Sequence, residues 1–514
     1  MRLDGGVRGL CFGPAPLVWL LPLTMIANPH SAAVPDDAPS TALTIYSTAR
    51  PGAISPEQYL GTAHAGRVPG VGIVKDERMI GLSKGVGVVR FTDVAAQIDP
   101  TTVSFESLTD PSGTRVREQS FQFDLVSADK LLERFVDQQI TVERLRGHEV
   151  DAFTGTLLST SGSLVLRGSD GRLRSLREFA NIIYPELPGG LITRPTLVWD
   201  IDSARGGTQR VRVNYETKGL TWWADYNLVF RPGEDANSGL LDVGAWVSLL
   251  NQSGASYDNA RLKLIAGDVH RAPAPGRPAY EDVPRLAAAR APEFEEKEFF
   301  EYHLYTLTRE TTIPDNSTKQ IELFEAAHGV PASKILLYDG AARFRGVFSE
   351  PMVDRGFGTQ SSRKVDIYLR FENSRETGLG IPLPSGRIRV SQLDAADSSL
   401  EFIGEDVIDH TPRDESVLIR LGSAFDVVGE RTQAGFRLEA PRRWMAETIE
   451  IKLRNHKSEP VEVLVVERLY RWSNWKLTEK THDYEQIDAR VIHFSLHVEP
   501  NEEQTIRYTV EYRW

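Results

Sequence analysis

Hydrophobic and polar residues alternate along most of the chain after about residue 70. Val211, Val213 and Tyr215 are separated by polar residues, and the same period of two recurs in the last ten residues. Short alternating runs bounded by glycine, proline or polar turn residues are typical of antiparallel strands with one buried face. The pattern predicts a mainly β protein made of tandem antiparallel, immunoglobulin-like β-sandwich modules.

One segment has helical rather than strand spacing. Ser127 can act as an N-cap, Asp129 places an acidic residue in the first turn, and apolar residues recur at helical spacing up to Val136. The sequence therefore predicts one short helix in the amino-terminal domain.

A strand that ends on an asparagine followed by a polar turn occurs three times, at Asn251, Asn373 and Asn455. Asparagine suits such a corner because it tolerates left-handed dihedrals and can hydrogen-bond the backbone two residues further on. The spacing between the copies is not constant, so the pattern favours separate sandwich modules over a solenoid.

The first 33 residues have the layout of a secretory signal peptide. Arg2 and Arg8 precede an apolar run over residues 10–27, and Ser31 and Ala33 supply small residues before a cut at Val34. An uncleaved amino-terminal anchor is the alternative. No later stretch approaches the roughly 20 apolar residues of a membrane span. We expect a periplasmic or secreted protein without a transmembrane span once the signal is removed.

Composition shifts divide the remaining chain. Residues 34–69 are rich in Ala, Pro, Ser and Thr and predict a flexible lead-in. We expect a β-rich domain over 70–194, a central β-sandwich domain over 195–390 and a carboxyl-terminal β-sandwich domain over 391–514. Within the central domain, the Pro-, Ala- and Glu-rich stretch 271–298 predicts a long surface loop.

Composition and charge exclude several classes of protein. Of the 514 residues 41% are hydrophobic and 25% charged, which is typical of a folded chain. The 71 acidic residues outnumber the 59 basic ones, and this argues against nucleic acid as a partner. The single cysteine, Cys11, lies in the predicted signal, so the sequence predicts no disulfide, no cysteine-rich zinc site and no iron–sulfur cluster. We also expect no cofactor.

One acidic segment could support catalysis. The sequence has no H-E-x-x-H zinc motif and no P-loop, but residues 404–415 bring Asp406, Asp409 and His410 close together in sequence. Such a set could hold a hard cation or supply an acid–base pair for a metal-assisted hydrolase. The alternative is a charged strand and turn whose acids face water.

Tryptophans beside polar residues are the candidates for ligand binding. Trp223 shares its predicted strand face with Asp225, and Trp472 and Trp475 lie in a polar segment. A flat ring next to carboxylate and amide groups suits a sugar, and it suits a protein partner equally well. The alternative is that these rings cover the end of a sandwich core.

Several segments together resemble a known family. They are 219–226, 251–254, 264–269, 318–323, 383–390, 404–415 and 424–427. These segments resemble domain of unknown function 4139, a family related to the mucoidy inhibitor A proteins. The resemblance implies a β-rich, exported bacterial protein and brings no catalytic residues. Such relatives often carry a long coiled coil before the domain, whereas this sequence has only the short helix near Ser127.

From the sequence we therefore expect an exported, non-enzymatic β-sandwich protein that binds a glycan or an envelope protein, or has a structural role in the cell envelope. The alternative is a metal-assisted hydrolase that uses the acidic segment near residues 405–415.

Overall fold

A computed structural model describes the chain over residues 40–46, 54–55, 68–146, 149–189, 191–235, 237–267, 294–299, 302–341, 348–394 and 396–514. The protein is mainly β, as the alternation predicts. The predicted signal peptide and most of the predicted loop 271–298 lie outside the described residues. Within the described part, no helix is both long and apolar enough to cross a membrane.

The amino-terminal part contains twelve described strands and a helix, α1 (Ala128–Arg134), between β5 and β6. The strands are β1 (Ser40–Tyr46), β2 (Val71–Leu82), β3 (Gly85–Thr92), β4 (Ile98–Ser107), β5 (Thr114–Gln122), β6 (Gln139–Arg146), β7 (Glu149–Ser159), β8 (Leu164–Gly168), β9 (Leu173–Leu176), β10 (Asn181–Ile183), β11 (Thr196–Ser203) and β12 (Gly207–Thr217).

The later part adds seventeen described strands and a short 3-10 helix at Ala440–Arg442. The strands are β13 (Leu220–Pro232), β14 (Ser238–Asn251), β15 (Tyr257–Ala266), β16 (Phe294–Phe299), β17 (Tyr302–Leu307), β18 (Thr311–Ile313), β19 (Ser317–Tyr338), β20 (Lys364–Glu372), β21 (Gly386–Leu393), β22 (Leu400–Ile408), β23 (Ser416–Glu439), β24 (Trp444–Asn455), β25 (Val461–Arg468), β26 (Trp475–Lys480), β27 (Glu485–Gln486), β28 (Val491–Val498) and β29 (Glu503–Arg513).

The first sheet has the order β16-β17-β15-β1-β2-β12-β4, with β18 paired to β15. Strand β1 lies in its middle, antiparallel to β2 and parallel to β15, and its Leu43 and Ile45 are fully buried. These seven residues belong to the stretch predicted as a flexible lead-in. The prediction is wrong for these residues. The abundant Ala, Ser and Thr are compatible with an alternating strand, because only every second position of such a strand needs to be apolar.

A small module forms between β5 and β11. Its sheet has the order β10-β6-β7-β8-β9, and α1 packs beside a core that includes Phe135, Ile140 and Leu157. The predicted helix is confirmed, and the Ser127 side chain accepts a hydrogen bond from the Lys130 amide at 3.3 Å. A separate sheet, β3-β11-β5, connects this module to the rest of the protein.

The largest sheet contains the path β22-β21-β13-β14-β19-β20-β23-β24-β29-β26, and β25, β27 and β28 join it through β19. The long strands β19 and β23 each contribute to two cores. Ile321 and Ile419 belong to a large core shared with the first sheet, and Tyr338 and Val427 belong to a carboxyl-terminal core. The sheets also cross the boundaries predicted at 194/195 and 390/391, since β12 pairs with β2 and β4 and since β21 contains residues 390 and 391.

The three asparagines occupy matching corners. Each is fully buried, and each side-chain amide donates to backbone carbonyls of neighbouring turns; Asn455, for example, donates to Glu459, Val498 and Glu499. The predicted bond to the backbone two residues on is present at Asn251 and Asn455. The expected left-handed backbone is wrong, since none of the three has a positive φ. Asparagine is needed here because its amide closes the turn.

Candidate ligand-binding site

Four neighbouring strands of the largest sheet form the floor of the candidate site. In the register, Trp223 of β13 lies opposite Ser248 of β14, which lies opposite Gln320 of β19, and Asp225 lies beside Arg387 of β21. Paired residues on neighbouring strands project to the same face. The alternate residues, such as Trp222 and Tyr226, point into the large core and are buried.

Close approach of β21 to β13 depends on Gly386. A Cβ atom at this position would lie 2.6 Å from both the Ala224 carbonyl oxygen and the Tyr226 ring. Glycine removes that clash, so the parallel pairing can begin at this residue. The pairing then carries Arg387 to the side of Asp225.

A cavity of about 340 Å³ opens on this face. This volume is at the small end of the range for ligand pockets, about 300–1,000 Å³. Its walls combine two apolar side chains with six polar or charged ones: Ile54, Trp223, Asp225, Ser248, Thr318, Gln320, Arg387 and Arg389.

Hydrogen bonds fix the Asp225 carboxylate and the Trp223 ring relative to each other. Asp225 is 7% exposed, and its Oδ2 accepts from Trp223 Nε1 at 2.7 Å and from Ser248 Oγ at 3.2 Å. Ser248 Oγ in turn accepts from Gln320 Nε2 at 3.0 Å. The chain of bonds across three strands holds the indole in one orientation at the cavity wall.

The indole is also supported by apolar packing. Trp223 packs against a small cluster of Ile54, Val68 and Leu250, which lies apart from the larger cores. Trp246 lies opposite Asp225 in the β13–β14 register and is 40% exposed. Two tryptophans therefore stand on the same face of the sheet near one carboxylate.

The two arginines of the cavity are only loosely paired. Arg387 Nη2 lies 3.5 Å from Asp225 Oδ1, and Arg389 Nη1 lies 3.9 Å from the same oxygen. These distances are at or beyond the limit of a hydrogen bond. Arg387 Nε is buried and has no hydrogen-bond partner among the described protein atoms. The site thus keeps donor capacity that Asp225 does not use.

The structure places the predicted site residues in two separate regions. Trp223 and Asp225 are together in the cavity. Trp472 and Trp475 lie elsewhere, packed against the carboxyl-terminal core, and Trp475 Nε1 donates to the Ala489 carbonyl at 2.8 Å. These two rings match the alternative in which tryptophan covers the end of a core.

The acidic segment spans the end of β22 and the turn after it. Asp406 accepts backbone hydrogen bonds from Val407 and Arg420, and His410 Nδ1 accepts from the Ser385 amide at 3.1 Å. Asp409 is exposed. Among the described residues, no group of three or more His, Cys, Asp or Glu side chains is arranged to hold a metal ion.

One short motif has a structural explanation. Gly81-Leu82-Ser83-Lys84-Gly85 matches G-x-S-x-G, the pattern of a nucleophile elbow. That elbow requires a strand followed by a helix, whereas Ser83 is exposed in the connection between strands β2 and β3. The match therefore carries no catalytic geometry.

Six further cavity residues were not identified from the sequence: Ile54, Ser248, Thr318, Gln320, Arg387 and Arg389. Arginine alternates with buried Ile388 and Val390 in β21, which marks a polar strand face. That alternation does not reveal that β21 pairs with β13, more than 150 positions earlier in the chain.

No protein-family model matches this chain, and searches of curated proteins and of solved structures also find no significant match.

Proposed function

We propose that this protein is an exported, non-enzymatic binding protein of the bacterial cell envelope and that it binds a glycan in the Trp223 cavity. One observation carries the proposal: a fixed indole ring stands beside a hydrogen-bonded carboxylate, a hydroxyl and an amide in a cavity of about 340 Å³. A sugar has the matching chemistry, with an apolar face that can stack on a ring and hydroxyls that bond to polar groups.

The positions of the polar groups favour binding over catalysis. The Asp225 carboxylate accepts hydrogen bonds from Trp223 and Ser248. The carboxylate and the indole therefore act as fixed partners for a ligand, and the carboxylate does not act as a free base. Most enzymes that act on glycosidic bonds use a pair of carboxyl groups across the bond, and the described residues of the cavity wall include one.

Export and kinship remain parts of the proposal that rest on sequence. The charged, apolar and small residues of positions 1–33 support a signal peptide and a periplasmic or secreted location. The segments quoted above support kinship with domain of unknown function 4139.

A glycan array probed with the full chain tests the function. We expect binding to a subset of glycans, and Trp223→Ala should weaken that binding about tenfold or more, because a central aromatic contact is lost. Trp475→Ala is the matched control, since it also removes a partly buried tryptophan but lies at the other core.

The melting temperature of each variant separates loss of binding from loss of fold. If no glycan binds, or if Trp223→Ala binds as well as the wild type while folded, the proposed function is wrong. Equal weakening by Trp475→Ala would point to a general loss of stability and would also remove the support for this cavity.

A further inference from the structure

We propose that the ligand of the Trp223 cavity is anionic, and specifically a saccharide that carries a carboxylate. This inference rests on the proposed function and adds the chemical class of the ligand. It is carried by the two arginines of β21 and by what surrounds them.

Among the described residues that line the cavity, the charges are not balanced. Arg387 and Arg389 lie two positions apart on one strand and share a face, and Asp225 is the carboxylate that lines the cavity with them. Glu405 stands 3.6 Å from Arg389 but is half exposed, so water screens its charge. A second carboxylate brought by a ligand would complete the pairing.

The unused donor atom points to the same chemistry. Arg387 Nε is buried without a partner among the described atoms, and Nη2 of the same guanidinium is only 3.5 Å from Asp225. A buried donor without an acceptor costs free energy. A planar carboxylate can accept from two nitrogens of one guanidinium at once, which is the geometry that arginine favours.

The rest of the cavity selects a sugar over a bare anion. Trp223 offers a flat apolar surface on β13, the strand next to the arginines, two positions along from Asp225, which lies opposite Arg387. A sugar ring that stacks on Trp223 can therefore direct a ring carboxylate toward Arg387. Gln320 and Thr318 lie on the far wall, where sugar hydroxyls would meet them.

Isothermal titration of the full chain with trigalacturonate and with its methyl ester tests the charge directly. The two probes share the sugar rings and differ in charge. We expect trigalacturonate to bind at least about tenfold more tightly, because the ester cannot form a charged pair with arginine. The affinity for trigalacturonate should also fall as salt concentration rises.

Substitution of Arg387 locates the effect. Arg387→Met should reduce trigalacturonate affinity about tenfold or more and leave the affinity for the ester nearly unchanged, since the ester does not use the charge. Arg387→Lys should recover only part of the lost affinity, because a lysine ammonium cannot form the two parallel hydrogen bonds that a guanidinium forms with one carboxylate. Arg442→Met is the control, since the Arg442 side chain is 81% exposed and does not line the cavity.

The outcomes distinguish the two proposals. Equal affinity for both probes, both lowered by Trp223→Ala, would overturn the anionic ligand and leave a glycan site. Binding of trigalacturonate that is unchanged in both Arg387→Met and Trp223→Ala would overturn both proposals at this cavity. Binding of neither probe, together with an array that shows only neutral glycans, would overturn the anionic ligand alone.

Discussion

Two groups of arginines differ in how their guanidinium groups are used. Arg387 and Arg389, in the Trp223 cavity, make long contacts to Asp225, and Arg389 makes one more to the half-exposed Glu405. Arg431 and Arg471, at the carboxyl-terminal core, are almost completely buried and closely paired. The comparison shows which arginines hold the fold together and which retain donors for a ligand.

All three guanidinium nitrogens of Arg471 donate hydrogen bonds. Nε and Nη2 donate to the two carboxylate oxygens of Glu447, and Nη1 donates to the carbonyls of Met352 and Asp354 at 2.9 and 2.7 Å. Nη2 also donates to the Phe357 carbonyl at 2.7 Å. In the irregular segment 348–358, the carbonyls of Met352, Asp354 and Phe357 are therefore paired with a side chain instead of with a neighbouring strand.

Arg431, in β23, makes the same kinds of contact. Its Nε donates to both oxygens of Glu467 and its Nη1 donates to the Gly358 carbonyl, while the Tyr508 hydroxyl donates to Glu467. Burial raises the pKa of the Tyr508 hydroxyl well above its ordinary value, and the nearby Glu467 charge adds to that rise. The tyrosine therefore stays protonated as a donor.

The largest expected effect is on stability at the carboxyl-terminal core. Arg471→Met should lower the free energy of unfolding by about 3–5 kcal/mol, because the change leaves Glu447 as a buried charge without its partner and several carbonyls unpaired. Urea unfolding followed by tryptophan fluorescence measures this loss. Arg442→Met, at an exposed i,i+3 pair, should change stability by less than about 0.5 kcal/mol. A small effect of Arg471→Met would show that the close pairing is not what holds segment 348–358.

A group of ion pairs on the first sheet is intermediate between the loosely paired and the buried arginines. There Glu77 is surrounded by Lys75, Arg210 and Arg212 at 2.9–3.2 Å. Burial by itself raises the pKa of the Glu77 carboxyl, but hydrogen bonds and charges from Arg212 and Lys75 outweigh it and lower the pKa to about 2. The carboxylate is buried and the cations are partly exposed, so solvent screens part of the attraction.

Glu77 should therefore make stability depend on pH. Because its pKa is lower in the folded state, its stabilising effect is complete above the unfolded value near 4.5 and is lost as the pH falls toward 2. Glu77→Gln should cost on the order of 2–3 kcal/mol at pH 7 and progressively less from pH 4.5 downward. Glu106→Gln, which removes an exposed partner of the same Arg212, is the control. A cost of Glu77→Gln that stays constant down to pH 2.5 would contradict this account.

Local features of the fold were predictable from the sequence because they depend on residues that are close to one another in the chain. The period of two identifies strands wherever one face is buried, and Ser127 caps α1 through a residue three positions away. The asparagine corners also have a local signal, although their carbonyl acceptors include distant ones such as Val498 for Asn455. The boundaries predicted at 194/195 and 390/391 do not separate the sheets, because β12 pairs with strands that precede the first boundary and β21 spans the second.

The candidate site was predictable only in part. Trp223 and Asp225 share one strand face, so the period of two is sufficient to place them together. Arg387 enters the site through a parallel pairing with a strand far away in the chain, and Ile54 enters it from the region before β2. The sequence has no local signal for such pairings. It also cannot separate Trp223 from Trp475, since both stand among polar residues and differ only in what lies beneath them.

Apart from the Arg442 control, the smallest expected effect on stability is at Arg387, and it tests the comparison most directly. Arg387→Met should change the free energy of unfolding by less than about 1 kcal/mol, because Asp225 keeps its bonds to Trp223 and Ser248 and its neighbour Arg389. The change also removes a buried donor that had no acceptor, and this offsets part of the loss.

Urea unfolding of Arg387→Met and Arg471→Met under the same conditions gives the ratio of the two effects. A cost at Arg387 close to that at Arg471 would mean that both arginines stabilise the fold in the same way. In that case the loose contacts around Arg387 would not indicate a site for a ligand. A cost several times smaller, together with the expected loss of trigalacturonate binding, would assign Arg387 to the ligand and Arg471 to the fold.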